Sequence, residues 1–428
     1  WALSPAAICR KQGISQMETL FVGGLVFDGR NKPTPGMGVL IKADRVSKIE
    51  PAEQFADYQG HKIDTSGGTL MPGLIDCHVH LTLGGEADIA SAQAKRSPGQ
   101  IVMTGLRWAQ QTLAGGITAV RDCGGKDYLE FAVRDACNSG EQLGPTVLAA
   151  GRMICMTGGH GSRVGRVADG TDEVIKGVRE QIHAGSDFVK IMATGGVMTP
   201  GVNPMDAHYT AEEMAVGIAE AARFGKHTAS HAMATKGILN AVRGGITSIE
   251  HGTFMDDECV EEMLKRGTFL VPTLAPMQGL MAHLDKVPLF VQNKFQMMEE
   301  VYAKALILYY QAGGKIAMGT DTGVPYATHG NNALELAYMA DAGMTPLDVL
   351  KSSTSLAAEL MGLSDEGHIA EGSRADFLVV DGNPAEDINM AARRENHRTI
   401  WKRGIEILAV EQAMEPIRAP QFAATAAF

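Results

Sequence analysis

Two histidines one residue apart stand inside the apolar stretch GLIDCHVHL (73–81). His78 and His80 occupy positions i and i+2 of a predicted strand, so their rings point to the same face. Two imidazoles on one face can bind one metal ion, and imidazole suits zinc. A short His-x-His motif is more often incidental than a ligand pair, so by itself it indicates a metal site only weakly.

Four further residues of ligand type come at the ends of predicted apolar strands. They are Lys190 in FVKIMATGG, His231 in TASHAM, His251 in SIEHG and Asp321 in IAMGTDTG. Each has an ordinary interpretation, as a solvated lysine, a core histidine or a turn residue. A lysine between DFV and IMA would nevertheless be a costly unpaired charge in a buried strand. Ligand-type residues at five strand ends therefore favour one shared metal site over chance.

Strand-like and helical segments alternate between residues 72 and 365, which is typical of βα units around a parallel sheet. Eight candidate strands can be counted: LIDCHVHL, ITAVRDCG, TVLAAGRMI, FVKIMATGG, HTASHAM, SIEHGTF, FLVPTL and KIAMGTDTG. Eight parallel strands close a (β/α)8 barrel, and their carboxyl ends meet at one mouth. The sequence therefore predicts an α/β protein with a TIM-type barrel. The six polar residues are expected to lie together at the mouth of this barrel.

The segments before and after this barrel in the sequence have a different residue pattern. Residues 17–71 and 366–428 contain short β-rich runs broken by Gly, Asn and Pro, without a helical period. We expect them to form one small discontinuous β-sandwich domain, with a C-terminal tail, beside the barrel of residues 72–365. Residues 1–16 resemble a tag or upstream sequence before a natural start at Met17.

The composition restricts the partners. The chain has 38 basic and 49 acidic side chains, a formal net charge of −11, and no block of like charges, which argues against nucleic acid and anionic membranes as partners.

The six cysteines are scattered, which argues against a disulfide framework and a cysteine zinc site. No apolar run is long enough to span a membrane, and the first residues lack a secretory signal. We expect a small-molecule partner and a cytoplasmic location, unless a leader has been removed.

The motifs DCHVHL, KIMATGG, SHAM, EHG and GTDTG together resemble those of the amidohydrolase superfamily, over nearly all of residues 17–408. The resemblance implies two divalent cations, expected to be Zn²⁺, although Co²⁺ or Mn²⁺ would suit the same ligands. It implies that CO₂ converts Lys190 to a carbamate that bridges both ions. The other ligands that it implies are His78, His80 and Asp321 on the buried ion and His231 and His251 on the exposed ion.

This metal pair implies hydrolysis at a carbonyl. Two cations lower the pKa of a shared water, so a bridging hydroxide is the expected nucleophile, while one cation polarises the carbonyl. Asp321 is expected to take the proton of the attacking water and to pass it to the leaving amine.

The stretches MICMTGGHGSR and VMTPGVNPMDAHYT resemble a narrower group, the metal-dependent prolidases and carboxypeptidases. This group includes Xaa-Pro dipeptidases, imidazolonepropionase-related enzymes and ochratoxin-degrading amidohydrolases. The resemblance implies that His160 donates to the scissile carbonyl oxygen. Tyr209, on a loop expected to line the mouth, and His329 are further candidates for contact with substrate. Arg163 is a candidate for binding a substrate carboxylate, and a solvent-facing loop arginine is the competing interpretation.

Three functions remain open on this basis. The first is cleavage of the amide bond to a C-terminal amino acid in dipeptides or N-acyl amino acids. The second is hydrolysis of a cyclic amide or lactone by the same metal centre. The third is an inactive barrel that serves as a binding module, which the presence of all six ligand positions disfavours. We also expect a homo-oligomer, as is common among such barrels.

Overall fold

The computed structural model describes residues 18–407. The expected tag or upstream segment 1–16, the expected start at Met17 and the C-terminal tail beyond residue 407 lie outside the described residues.

Short strands from both ends of the described chain form two sheets. The four-stranded sheet contains, in spatial order, Arg45–Pro51, Met37–Lys42, Glu18–Val22 and His61–Asp64. The six-stranded sheet contains, in spatial order, Ile405–Ile407, His397–Lys402, Phe377–Asp381, Gly68–Pro72, Leu25–Val26 and Thr34–Pro35. In the second sheet, the C-terminal strand 377–381 pairs antiparallel with the N-terminal strand 68–72. This sheet is therefore completed by both ends of the chain.

Apolar side chains from both sheets form one cluster, because alternate residues of each strand point to the same side. The Phe21 ring packs edge-on against Phe377 and Trp401, with ring centroids 5.5 and 5.0 Å apart. The β-sandwich assignment and the domain boundaries at residues 71/72 and 365/366 stay predictions.

Parallel strands with intervening helices make up the central part of the chain. The first three strands form a three-stranded sheet: Leu74–Val79, Ile117–Asp122 and Thr146–Ala149. The others form a six-stranded sheet, in spatial order Arg166–Val167, Ile154–Cys155, Val189–Met192, Thr228–Ala234, Ser248–Phe254 and Phe269–Val271. The largest apolar cluster lies between these strands and the helices around them.

The predicted closed barrel of eight strands requires correction at two places. The third predicted strand, TVLAAGRMI, is interrupted at Gly151, whose φ of +77° is incompatible with an extended strand. The eighth, KIAMGTDTG, forms only isolated bridges, from Ile316 to Leu270 and from Thr322 to Val79. Positive φ at Asp321 prevents a regular strand there. Hydrogen-bonded ladders therefore do not run continuously around the barrel.

Helices surround these strands and supply the segments at the mouth. The α-helices are Ile89–Ala94, Pro98–Ala114, Leu129–Asn138, Gly170–Ala184, Ala211–Arg223, Thr235–Gly244, Asp257–Arg266, Ala275–Met281, Leu289–Met298, Tyr302–Gln311, Leu334–Ala342, Pro346–Ser352, Ser355–Met361 and Asn389–Ala392. Three short 3₁₀ turns are Ala52–Phe55, Leu284–Lys286 and Arg394–Asn396. Within residues 18–407, none of the helices combines the length and apolar character needed to cross a membrane. The five cysteines of this range are buried and form no disulfide.

Candidate metal centre

The first barrel strand presents His78 and His80 at the mouth, and both rings are oriented by hydrogen bonds. Nδ1 of His78 lies 2.7 Å from Oε2 of Glu250, and Nδ1 of His80 lies 2.7 Å from the carbonyl oxygen of Gly124. With Nδ1 occupied, Nε2 of each ring faces Oδ1 of Asp321, at 3.4 and 3.2 Å. A metal-binding histidine commonly donates its second N–H to such a partner, which fixes the tautomer and ring orientation.

Asp321 reaches the two rings because its backbone turns sharply. Its N–H donates to the carbonyl oxygen of His78 at 2.7 Å, and its φ is +53°. This sparsely populated conformation is of the kind found at functional sites. Burial alone would raise the pKa of Asp321, but the adjacent imidazoles outweigh burial and hold that pKa below its usual value. The carboxylate is therefore ionised, as a metal ligand must be.

Lys190 lies in the buried strand Val189–Met192, and its side chain is 2% exposed. Its Nζ has no hydrogen-bond partner among the described residues, and neither does Oδ1 of Asp321. A buried primary amine without a partner is energetically costly. Two unpartnered polar atoms beside a set of histidines are what a missing ligand would leave.

His231 and His251 come from the next two strands, Thr228–Ala234 and Ser248–Phe254. Nε2 of His231 bonds to the carbonyl oxygen of Gly195 at 2.9 Å, and Nδ1 of His251 bonds to Oγ1 of Thr273 at 2.6 Å. Among residues 18–407, the other nitrogen of each ring makes no hydrogen bond. Burial lowers the pKa of His251 to about 4, so its ring is neutral and able to bind a cation.

Five imidazoles lie in a continuous row across the mouth. From His80 through His78, His251 and His231 to His160, successive ring centroids are 5.5, 5.3, 4.6 and 4.5 Å apart. Ligand atoms of His78, His80 and Asp321 all lie within 4.8 Å of one another. The imidazoles and the carboxylate are ligand types that suit divalent cations.

Sequence reasoning missed Glu250, which connects the histidines to a buried ion pair. Its Oε1 accepts from Nη2 of Arg121 at 2.7 Å and from Oγ of Ser248 at 2.5 Å, while Oε2 faces His78. Arg121 and Glu250 are both completely buried. The sequence carries a signal for this pair, because Glu250 in SIEHGTF and Arg121 in ITAVRD are charged residues within apolar strands, as Lys190 is.

A cavity of about 910 Å³ opens above the row of imidazoles. Its walls are mainly apolar, and six methionines contribute: Met153, Met192, Met198, Met233, Met277 and Met298. Charged side chains line it too, among them Lys126, Arg163 and Lys286. Arg163 is exposed, which is the loop position that the sequence suggested, and it faces the same space as the histidines.

His160 also lines the cavity, at the end of the row of rings. Its Nδ1 lies 2.8 Å from Oγ1 of Thr199, so Nε2 is left for another partner. Burial lowers the pKa of His160 to about 3, and the neutral ring can donate from one nitrogen only.

Two predicted substrate contacts require correction. Tyr209 is 2% exposed, and its hydroxyl donates to the carbonyl oxygen of Ala168 at 2.8 Å. It packs in the main core and does not line the cavity. His329 uses both ring nitrogens, with Thr112 Oγ1 at 3.0 Å and the Leu83 carbonyl oxygen at 2.8 Å, and it too lies outside the cavity wall. Both residues support the structure around the site.

Comparison with known proteins agrees with this geometry. The Amidohydrolase family model matches residues 69–406. The chain belongs to this family. It is 31% identical to an ochratoxinase of Aspergillus niger over 424 residues, which cover 90% of this chain and 86% of the relative.

Solved amidohydrolase structures are similar over nearly the whole chain. A Xaa-Pro dipeptidase with methionine bound in its active site has a TM-score of 0.84 and 30% identity, covering 91% of this chain and 99% of the other. A prolidase complexed with N-methylphosphonate-L-proline has a TM-score of 0.83 and 29% identity, with the same coverage. The protein is therefore a hydrolase that acts on amide bonds, with an α/β fold of the TIM-barrel type. Its family is generally metal-dependent and acts on small molecules.

Proposed function

We propose that this amidohydrolase is a binuclear metalloenzyme that cleaves the amide bond to a C-terminal amino acid in dipeptides or N-acyl amino acids. The observation that carries the proposal is the convergence of six ligand-type side chains at one mouth. There, Lys190 Nζ and Asp321 Oδ1 have no hydrogen-bond partner among the described residues. A binding module would have no need for unpartnered buried groups of this kind, which cost stability.

The residues that would hold the cations are His78, His80, Lys190, His231, His251 and Asp321. When bound, two cations supply Lewis-acid polarisation of the substrate carbonyl and lower the pKa of a water. For Lys190 to serve, its ammonium group would first lose a proton to solvent. Its Nζ would then bond to the carbon of CO₂ and release a second proton. The resulting carbamate would replace a positive charge with an anionic ligand that offers two oxygens. We propose Zn²⁺ as the native metal because imidazole dominates the ligand set.

The protein's own groups account for proton transfer and substrate placement. Asp321 accepts the proton of the attacking water and delivers it to the leaving nitrogen, so that the amide C–N bond breaks with a neutral amine as product. His160 donates from Nε2 to the carbonyl oxygen, which becomes negative as the water adds. Arg163 at the cavity wall pairs with the free carboxylate of the amino acid.

The apolar wall supports a bulky apolar group on the acyl side. A cavity of about 910 Å³ lies within the range of sites for drug-sized ligands. Methionine side chains adapt to different shapes, which suits a range of acyl groups. The similarity to an ochratoxinase and to Xaa-Pro dipeptidases agrees with an amide substrate of this kind.

Metal removal and reconstitution test the proposal. Chelated protein is reloaded with Zn²⁺, Co²⁺ or Mn²⁺ and incubated with Xaa-Pro dipeptides, N-acyl amino acids, cyclic amides and lactones, and the released products are measured. We expect release of free amino acid from the first two classes only, dependent on metal. Asp321→Asn is the inactive control. Turnover of the cyclic substrates alone would establish the alternative function, and no turnover after full loading would overturn both.

A further inference from the structure

Lys294 makes an unusual set of contacts outside the metal ligands. It lies on the helix Leu289–Met298, whose residues Phe290 and Met298 line the cavity. Its Nζ donates to three backbone carbonyl oxygens of a single loop, those of Gly196 at 2.9 Å, Val197 at 3.1 Å and Thr199 at 2.7 Å. An ammonium group has three donors, and all three are used on this loop. The loop is therefore held to the helix by charge-assisted hydrogen bonds.

The same loop holds His160 from two sides. Thr199 Oγ1 lies 2.8 Å from Nδ1 of His160. A Cβ atom added to Gly196 would lie only 2.5 to 2.7 Å from atoms of the His160 ring, so the backbone and ring are in close contact. Both supports of His160 thus belong to residues whose carbonyl oxygens bind Lys294.

We propose that Lys294 is a positioning residue that sets the orientation of His160 through the loop of residues 196–199. The inference rests on the proposed function, in which His160 donates to the substrate carbonyl. Donation from Nε2 requires that Nδ1 accept the Thr199 hydroxyl proton. Loss of the lysine leaves three carbonyl oxygens without their donor and frees the loop that carries this hydroxyl.

The position of the helix adds a reason for this arrangement. Phe290, one turn before Lys294, lines the cavity, and Nζ of Lys294 lies 5.3 Å from the centroid of its ring. A substrate group that packs on Phe290 therefore contacts the element that holds the loop. Substrate binding and the placement of His160 depend on one helix.

A double-variant cycle tests the inference on the metal-loaded enzyme. Lys294→Met is expected to lower kcat by about 100-fold, the size of a misplacement of about 1 Å, and to change KM by less than about threefold. In a His160→Asn background the same change is expected to lower kcat by no more than about threefold. Thr199→Val, which replaces only the hydroxyl by a methyl group, is expected to match Lys294→Met in both backgrounds. Alone it should lower kcat by about 100-fold, and in the His160→Asn background by no more than about threefold. Lys304→Met, an exposed lysine on the next helix, is the control.

A second measurement does not depend on activity. The rate at which diethyl pyrocarbonate modifies His160, followed by peptide mass mapping, is expected to rise at least about tenfold in Lys294→Met, because the ring loses its supports. Equal kcat losses in both backgrounds, or an unchanged modification rate, would overturn the inference. If the loaded wild-type enzyme cleaves no amide, the proposed function fails, and the modification rate alone decides whether Lys294 holds His160.

Discussion

Oε2 of Glu250 lies 2.7 Å from Nδ1 of His78, and this contact turns the other nitrogen of the ring toward Asp321. Glu250 is itself held by Arg121, so a buried charge pair controls the orientation of His78, a proposed metal ligand. Such outer partners of a ligand set both its tautomer and its basicity.

Glu250→Gln should weaken metal binding. We expect about 10- to 100-fold lower metal affinity, because His78 loses an anionic acceptor. Competition with a chelator, followed by metal analysis, measures this effect. Glu220→Gln is the matched control, since Glu220 is also buried and paired with arginines but lies away from the mouth. Equal metal affinity in both variants would contradict the role of Glu250.

Lys190→Met should separate metal binding from folding. We expect the variant to lose bound metal and activity, whereas the melting temperature of the metal-free protein stays equal or rises because an unpartnered buried amine is removed. Lys402→Met provides the contrast. Lys402 is also buried, but its Nζ lies 2.5 Å from Oδ2 of Asp376, and removing it should destabilise the fold by about 3–5 kcal/mol. A lower melting temperature for metal-free Lys190→Met would contradict the prediction.

The proposed carbamate on Lys190 can be tested directly. Protein loaded with metal in carbon-13-enriched bicarbonate should give a carbamate carbon signal that is absent from Lys190→Met. Removal of the metal should also abolish the signal, since the buried anion would lose its counter-ions. A signal that persists in Lys190→Met would assign it to another amine.

Gly196→Ala should displace His160, because a Cβ at residue 196 would lie 2.5 Å from Nε2 of that ring. We expect kcat to fall by about 100-fold with little change in metal content. Gly99→Ala is the control, because a Cβ there meets no atom within 4 Å and the residue lies in the first turn of a helix. Steady-state kinetics of both variants make the comparison, and unchanged kcat in Gly196→Ala would place His160 outside the reaction.

Arg163→Met should raise KM for substrates with a free carboxylate. A hydrogen-bonded contact to a charged group contributes about 1.5–3 kcal/mol, so KM should rise about 10- to 150-fold with kcat nearly unchanged. The same substrates capped as methyl esters should show no such difference between wild type and variant. An equal rise in KM for free and capped substrates would show that Arg163 does not bind the substrate carboxylate.

His227 should make folding stability depend on pH. Burial against Phe188 lowers the pKa of His227 to about 3, so this ring stays neutral when the protein is folded and protonates near pH 6.5 when unfolded. Stability is therefore lost as pH falls from about 6.5 toward 3, by up to about 1.4 kcal/mol per pH unit. His227→Phe should lose less stability than wild type between pH 7 and pH 5 in chemical denaturation. The exposed His183, changed to Phe, should give the wild-type profile.

The sequence predicted which polar residues lie together at the mouth wherever residue type and strand position coincide; their role as metal ligands stays a prediction. These ligand-type residues in apolar strands are His78, His80, Lys190, His231, His251 and Asp321. Tyr209 and His329 could not be placed in this way, because a loop position does not reveal whether a polar ring points to the cavity or to a backbone carbonyl in the core.

Interruptions of the barrel were equally hard to anticipate. Gly151 and Asp321 leave the extended conformation through positive φ, which a period-2 apolar pattern does not report. Contacts such as that between Lys294 and the loop of residues 196–199 join segments about 95 residues apart, and no local signal marks them.

The pairing of strand 68–72 with strand 377–381 bears on how the protein is made in the cell. The first of these strands emerges from the ribosome early, and its partner follows only after the whole barrel has been synthesised. Until then, an unpaired strand edge lies directly beside the segment that carries His78 and His80. Incorporation of the proposed metal ions is therefore expected only after residues 377–381 have been synthesised, and nascent chains stalled before residue 377 should depend on chaperones.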